Sequence, residues 1–571
     1  MTSISALNKR LNKLYNGSVF AVEENGCLHI KGELSDWQEI VHAGLISVNR
    51  KKYIGLVNEI KLTGTSIPPM KLPAVSDNTL EGAHPDVMVI GGGIIGCSIA
   101  RELRRYQLEV MIVEKEHDVA MHASGRNDGM VHPGVDLHKG QLKKKYNDLG
   151  NRMFRTVCAE LGVPFRQVGQ YLCFMNPWMK PVIAMTPLYW RAMNVPVEFI
   201  NRRKLREKEP NLNRRISCAL LFPSAGIVCP YGLTIAYAEN AVDNGATLCL
   251  DTAVTGMEVK SGRIQSVLTT RGRIYPKLVI NAAGVFSEEI AKLAQDHFFS
   301  IHPRKGTNII FDKKAAYQVR TIASSLGTVD KKTAHSKGGG IVSTVDGNLL
   351  VGPDAIETCE RENFETSRES IDRIIAKQQH TSPGLDKKDI ITYFTGVRAA
   401  SYEEDFILSF GKFTANIIHA AGIQSPGVTA APAIAVDIAK MAASFLGAEK
   451  NEKFDPVRIP IPHTAGMPRD ERDALIRQDE NYGVMICRCE EVSRGEILNA
   501  LRRSVPCDTV DGVKRRVRAG MGRCQGGFCG PLVAGIIAGE LHIPLEQVRK
   551  CGHDSCIVFG DNKAIKVSDR T

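Results

Sequence analysis

The apolar run Asp86-Val87-Met88-Val89-Ile90 passes without a break into Gly91-Gly92-Gly93-Ile94-Ile95-Gly96, and that loop opens the helical pattern CSIARELRRY. The glycines permit a tight turn. They also let a pyrophosphate approach the amino end of the helix, where unpaired amides and the helix dipole favour negative charge. A second apolar strand, VMIVEK, ends on Glu114, 23 residues past Gly91, where a carboxylate can accept hydrogen bonds from a ribose diol. Strand, loop, helix and strand together predict a Rossmann-type α/β domain. Its cofactor-binding residues are expected at Gly91, Gly93, Ile94, Ile95, Gly96, Glu114 and Lys115. The loop alone leaves FAD and NAD open.

A chain of 571 residues has room for two to four domains. Residues 1–65 read as a small α+β module: SVFAVEENGCLHIKGEL alternates like a hairpin about Glu24-Asn25-Gly26, SDWQEIVHAGLISV looks like a capped helix, and GLVNEIKL like a further strand. Its outline resembles the BON domain. Residues 66–84, rich in Pro and Ser, read as a linker into the main domain, 85–445. A second linker, 446–480, holds EKFDPVRIPIPHTAG and PRDERDALIRQDE; a small helical module follows at 481–545 and a tail at 546–571.

The apolar runs read as too short for a membrane span, and MTSISALNKRLNKLY lacks the apolar core of a secretion signal, so a cytoplasmic protein is expected. The net charge of +11 fits small anionic substrates or an acidic partner. Nucleic acid is set aside as a partner, because nothing like a zinc finger, a recognition helix or an aromatic RNA platform accompanies the charge.

Fifteen cysteines in such a chain point to reduced thiols and metal ligands rather than a disulfide framework. Most, such as Cys27, Cys97, Cys158, Cys173, Cys218 and Cys249, are scattered in apolar or mixed segments as small core residues. Cys487-x-Cys489 and Cys524-x4-Cys529 are different: two close pairs with 34 residues between them, each running into a helical pattern. Four such thiolates suit Zn²⁺ or a [2Fe–2S] cluster, and spacing does not distinguish the two. Lys514, Arg515, Arg516, Arg518 and Arg523 lie beside the second pair, where they would offset cluster charge and could dock an acidic electron-accepting subunit. Cys551 and Cys556 repeat the x4 spacing in the tail and read as incidental thiols.

After Glu114-Lys115 comes HDVAMHASGRNDGMVHPGVDLHKGQL, and here the chain resembles the glycine/D-amino-acid oxidase superfamily of FAD enzymes. The resemblance implies FAD, and a β-sheet substrate domain interleaved with the FAD-binding domain. In that superfamily the Ser124, Gly125, Arg126, Asn127 and Gly129 stretch lies along the FAD diphosphate and flavin. LVINAAGVFSEEIAKLA matches a second flavin-associated turn, with Asn281, Ala282, Ala283 and Gly284, and Val254 and Gly396 join the cofactor set. HAAGIQSPGVTAAPAIA matches the C-terminal flavin loop, with Gly422, Ser425, Gly427, Val428 and Thr429. There a helix amino end would stabilise the charge of reduced flavin.

Within the superfamily the chain is similar to the branch that contains the anaerobic FAD-dependent glycerol-3-phosphate dehydrogenases and the L-2-hydroxyglutarate oxidases. The matching segments are Met130-Val131-His132-Pro133-Gly134 with Lys139-Gly140-Gln141-Leu142-Lys143, Pro303-Arg304-Lys305-Gly306, Thr344-Val345-Asp346-Gly347-Asn348, and Thr395-Gly396-Val397-Arg398-Ala399-Ala400. The branch implies an anionic substrate, phosphate or carboxylate, that loses hydride from a secondary alcohol carbon. Arg398 is expected to hold the anion, Arg304 to assist or to serve a strand junction, and His132 to take the hydroxyl proton, with His419 as its competitor.

Gly520-Met521-Gly522-Arg523-Cys524-Gln525-Gly526-Gly527-Phe528-Cys529 resembles the bacterioferritin-associated-ferredoxin-like domain, which implies a [2Fe–2S] cluster on Cys487, Cys489, Cys524 and Cys529. Such a module accompanies the anaerobic glycerol-3-phosphate dehydrogenases and generally not the 2-hydroxyglutarate enzymes. Glycerol 3-phosphate is therefore the expected substrate, with electrons leaving through the cluster to a partner subunit that carries its own redox centre. The competing readings are a 2-hydroxy-acid or amino-acid dehydrogenase, and an electron-transfer subunit without its own substrate.

Overall fold

The structure, a computed structural model, describes residues 3–326 and 339–560. Val87–Ile90 lies inside a six-stranded sheet ordered Thr247–Cys249, Val110–Val113, Val87–Ile90, Leu278–Asn281, Ile417–Ala421 and Ile407–Phe410. All neighbours are parallel except the last pair. The two-residue period of a strand divides its side chains between two cores. Val87 and Val89 pack with helices Ile94–Leu103, Pro230–Asp243 and Gly427–Leu446, whereas Met88 and Ile90 face the small sheet that begins with Val254–Lys260. A strand covered on both faces has no polar positions, which is why it reads as an unbroken apolar run.

A nine-stranded sheet is assembled from the segments between those strands. Its longest pair, Ile301–Phe311 against Ile390–Ser401, is antiparallel, and the register sets Arg304 opposite Arg398 and Gly306 opposite Gly396. The interleaving implied by the family resemblance is thus present: one sheet offers strand ends to a dinucleotide, and the other forms a facing wall.

Gly427–Leu446 corrects the expectation that no apolar run is long enough for a membrane span. Its 20 residues pass that test by length and composition. Yet Ala431, Ile434, Ala435, Ile438 and Ala442 are buried in the same core as Phe154, on helix Leu142–Glu160, and Ile99. Asp437 and Lys440 break the run as read along the sequence.

The N-terminal module pairs Val19–Glu24 with Cys27–Leu34 through a turn at Asn25 (φ +49°) and Gly26 (φ +75°), and adds Leu56–Leu62 in parallel. Asp36 caps the helix Trp37–Ser47. A further helix, Ile4–Tyr15, went unread although Leu7, Leu11 and Tyr15 fall on one face and Ser3 caps it. Tyr402 of the main domain packs into this module's core, and its hydroxyl accepts from Asn58 Nδ2 at 2.8 Å.

The segment expected as a linker at 446–480 is a strap. Arg458 pairs with Glu239 at 2.5 Å and donates to the Leu161 carbonyl at 3.0 Å, and PRDERDALIRQDE contains the helix Arg469–Gln478. Beyond it stands a compact module of a short hairpin, Met485–Cys487 with Val492–Ser493, and helices Arg494–Leu501, Val510–Val517 and Gly530–Leu541. Ser493 and Glu496 close a capping box at the first of these helices. Of the tail, 561–571 lie outside the described residues.

Candidate active site and cluster site

A cavity of about 810 Å³ opens where the two sheets meet. Gly91, Gly93, Ile94, Ile95, Glu114, Lys115, Ser124, Arg126, Asn127, Val254, Ala283, Gly284, Gly396, Ser425, Gly427 and Val428 line it. Gly96, Gly125, Gly129, Gly422 and Thr429 are not among the lining residues and sit behind the wall. At Gly96 an added Cβ would lie 1.9 Å from the Gly91 carbonyl, and at Gly91 (φ +112°) it would lie 2.6 Å from the Ala282 carbonyl. Side chains there would force apart the strand, the loop and the helix.

Glu114 sits where the dinucleotide reading requires an acceptor. Its Oε2 accepts from the Gly92 amide at 2.6 Å and its Oε1 from the Glu116 amide at 2.9 Å. Burial pushes this carboxyl up, against the pull of His122. A half-buried carboxylate beside a glycine loop and a helix amino end fits a ribose diol with its pyrophosphate.

At the far end of the cavity Arg304, Lys143 and Arg398 converge with Glu404 and Gln424. Arg304 is fully engaged. Its Nε meets Glu357 at 2.5 Å, Nη2 meets Glu404 at 2.7 Å, and Nη1 donates to Gln424 at 3.3 Å. Arg304 thus lines the cavity with its guanidinium already held by two carboxylates and a glutamine amide, in keeping with a role at the strand junction. Lys143 Nζ lies 3.6 Å from Glu404, and burial lowers its pKa. Arg398, by contrast, has the Asp354 carbonyl at 3.1 Å as its sole hydrogen-bond partner and no ion pair among the described residues. Burial lowers its pKa, and neighbouring Arg304 adds to the effect. Such a guanidinium is ready for an incoming anion.

His132 lines the same cavity. Its backbone amide donates to Thr429 Oγ1 at 2.7 Å, so Thr429 anchors the strand that carries it. The Gly134 amide donates to His132 Nδ1 at 3.0 Å, which puts the proton of the neutral ring on Nε2. His419 is removed as a competitor: it is fully buried, with Nε2 2.7 Å from Asp296 and Nδ1 3.1 Å from Asn281, and does not line the cavity. Sequence reasoning missed Asp128, which lines the cavity and whose carboxyl burial pushes up against the pull of Arg398. The signal was its place inside the Ser-Gly-Arg-Asn-x-Gly stretch. Lys143 and Gln424 were likewise inside matched segments but not singled out.

The four paired cysteines come together. Cys487 Sγ lies 3.8 Å from Cys489 Sγ, which lies 4.0 Å from Cys524 Sγ. A hydrogen bond from Cys529, with the Gly520 and Glu490 amides, holds the Cys487 thiol down at about 5 although burial opposes it, while burial and the Cys487 charge push Cys489 up to about 11. Sulfurs gathered from two loops, with amides aimed at them, fit a four-thiolate iron–sulfur centre. Cys551 and Cys556 stay outside this group, and Cys551 Sγ lies 3.7 Å from His117 on the main domain.

The expectation that the basic run docks a separate subunit is corrected by its contacts. Arg516 meets both oxygens of Asp118 at 2.9 and 3.0 Å, and Arg515 joins at 3.1 Å. Arg518 reaches Asp346 at 2.7 Å and Glu490 at 2.9 Å, and Arg523 reaches Asp312 at 2.6 Å. These cations fasten the sulfur module to its own oxidoreductase domain. The Tyr231 hydroxyl, 3.2 Å from Met521 Sδ, adds a contact beside the cysteine loop.

Comparison with known proteins agrees with this division. Residues 86–441 match the FAD dependent oxidoreductase (DAO) family and residues 485–539 the BFD-like [2Fe-2S] binding domain. A glycerol 3-phosphate dehydrogenase of Caloramator mitchellensis is 38% identical over 490 residues, 84% of this chain and 99% of that protein. A component of the anaerobic glycerol-3-phosphate dehydrogenase of Escherichia coli is 25% identical over 505 residues, 80% of this chain and 89% of that protein. The dithionite-reduced, FAD-bound L-alpha-glycerophosphate oxidase of Mycoplasma pneumoniae superposes with a TM-score of 0.61 at 26% identity, covering 66% of this chain and 99% of that one. With residues 86–441 and 485–539 each matched to a family model, the chain belongs to the FAD-dependent oxidoreductases and carries a [2Fe–2S] domain.

Proposed function

We propose that this enzyme oxidises sn-glycerol 3-phosphate to dihydroxyacetone phosphate. The observation that carries the reading is Arg398, a desolvated guanidinium at the cavity without a carboxylate partner among the described residues, in a chain whose relatives include glycerol 3-phosphate dehydrogenases. Bound FAD supplies the two-electron acceptor, and the cluster supplies a one-electron outlet to a separate redox protein.

Arg398 takes the phosphate bidentately, as a planar fork suits it. Arg304, held by Glu357 and Glu404, braces the wall beside it. The hydroxyl proton goes to His132 or to Asp128. For His132 to accept at Nε2, its Nδ1 must carry the proton and release the Gly134 amide; Asp128 needs no such exchange. The glycine loop, Glu114 and the Ser124–Gly129 stretch hold the dinucleotide, and Cys487, Cys489, Cys524 and Cys529 hold the cluster.

The test is anaerobic addition of substrates to the FAD-loaded protein, watching the flavin absorbance. Bleaching by glycerol 3-phosphate supports the reading. Bleaching only by L-2-hydroxyglutarate or an amino acid would move the substrate to those classes, and no bleaching with any of them would leave an electron-transfer subunit.

A further inference from the structure

The turn at Pro177–Met179 and the helix Lys180–Ala192 carry large apolar side chains on the outside of the molecule. Trp178 is 88% exposed, Met185 70%, Leu188 68% and Val182 65%. The inward side of the helix is well seated: Ile183 is buried with Phe174, Val195 and Phe222, and the Trp190 ring meets Phe222 edge-on with centroids 5.7 Å apart. The helix is therefore anchored, and its outer stripe at 182, 185 and 188 recurs at helical spacing without belonging to the core. Contiguous apolar surface of this kind marks an interaction site.

Charge selects the occupant. Residues 176–216 hold nine Lys and Arg against three Glu, so a net +6 of the chain's +11 lies in this one segment. All nine cations are exposed; of the three glutamates, Glu198 and Glu207 are exposed, with Glu207 3.2 Å from Arg203, and Glu209 is buried, accepting from the Arg320 amide at 3.0 Å and the Thr321 hydroxyl at 2.7 Å. Arg202 and Arg206 both donate to the Arg214 carbonyl, at 2.5 and 3.1 Å, which gathers these guanidiniums into one rim. Strand Glu198–Asn201 packs against both the apolar helix and the helix Arg202–Lys208, so rim and stripe are neighbours.

We propose that this stripe and rim form a docking surface for the face of an anionic lipid bilayer. Trp178, Val182, Met185 and Leu188 enter the headgroup boundary while Arg202, Arg203 and Arg206 meet lipid phosphates. The pattern is that of an interfacial helix: apolar and aromatic residues outward, no acidic residue in the helix itself, and a flank whose nine exposed cations outnumber its two exposed glutamates. The excess of exposed cations over carboxylates beside an apolar stripe favours lipid phosphates as the occupant.

The test uses the full-length, FAD-loaded protein, sedimented with vesicles of pure phosphatidylcholine or with about 30% phosphatidylglycerol added. Binding to the anionic vesicles is expected to exceed binding to the neutral ones by about tenfold or more and to fall with salt. M185D/L188D and R202E/R203E/R206E should each weaken it about tenfold with flavin absorbance and Tm unchanged. Trp178→Phe should remove a blue shift in tryptophan emission that vesicles induce. Failure to sediment, or sedimentation indifferent to M185D/L188D, overturns the proposal. So does a wild-type dimer in solution that M185D/L188D dissociates, which would assign the stripe to a second copy of the chain.

Discussion

The cavity and the sulfur module treat water in opposite ways. At the cavity, Arg398 is desolvated and Arg304 is enclosed by two carboxylates. In the module, Cys489 is exposed and Cys524 partly so, and an apolar core is present but small. The difference follows from what each end must do. Bond-breaking at a carbon requires charges whose strength water does not dilute, whereas an outlet for single electrons must lie near a surface that another protein can reach. The module is secured to the main domain largely by ion pairs, several of them buried, and such contacts fix orientation more than they add stability.

The sharpest way to separate the two regions is to remove one sulfur. Cys524→Ser is expected to abolish the cluster's visible absorbance and electron delivery to an external acceptor, while anaerobic flavin bleaching by substrate persists. Loss of both activities would show that the two ends are not separable. Next in size is Arg398→Ala, which removes a cavity cation that has no ion pair among the described residues. Truncating one partner of a buried charged contact costs about 3–5 kcal/mol, so kcat/KM should fall by about a thousandfold, with the flavin spectrum of the unreacted enzyme retained. If Arg304→Ala cost more than Arg398→Ala without any loss of folding, the assignment of the two arginines would be reversed.

A smaller effect separates His132 from Asp128. Loss of the group that takes the proton should lower kcat by about a hundredfold or more, and loss of a group that only orients the hydroxyl should cost less. With Asp128 as acceptor, activity is lost as pH falls, at a pH above the ordinary carboxylate range because its burial raises the titration. Asp128→Asn should then remove that acid limb, and His132→Asn should leave its position unchanged.

How much of this was legible depended on whether a residue's role was local. The Gly91 loop and Glu114 act through their own strand, turn and helix, so sequence spacing carried them. The cysteines were legible because thiolates at short spacing have few other uses. Arg304 and Arg398 were both found, but their difference was not. It depends on Glu357 and Glu404, and Glu404 is 100 residues from Arg304 in sequence. The basic run from Lys514 to Arg523 was misassigned for the same reason: its partners Asp118, Asp346 and Asp312 lie in three distant segments. Helix Ile4–Tyr15 is another case, since its cap and apolar spacing were readable and were missed.

The smallest expected effect on turnover, and the one that tests how the two regions are joined, concerns Asp118. Burial alone would raise its carboxyl, but Arg516 and Arg515 overcome this and hold it at about 2. A carboxylate whose pKa is depressed in the docked state stabilises docking above its ordinary value, near 4, and loses that contribution as pH falls toward 2. The difference corresponds to about 2–3 kcal/mol at neutral pH. Asp118→Asn keeps the shape but leaves Arg516 buried without its counterion, which should weaken docking by about 3 kcal/mol. Protease cleavage within 446–480 should then accelerate, because Arg503 of the module helps to hold the strap, donating to the Ile459 carbonyl at 2.7 Å. Flavin bleaching should keep its rate while transfer to an external acceptor slows. If Asp118→Asn left both cleavage and transfer unchanged at neutral pH, the Arg516 pair would not be what holds the module, and Arg518 with Asp346 would be the contact to remove next.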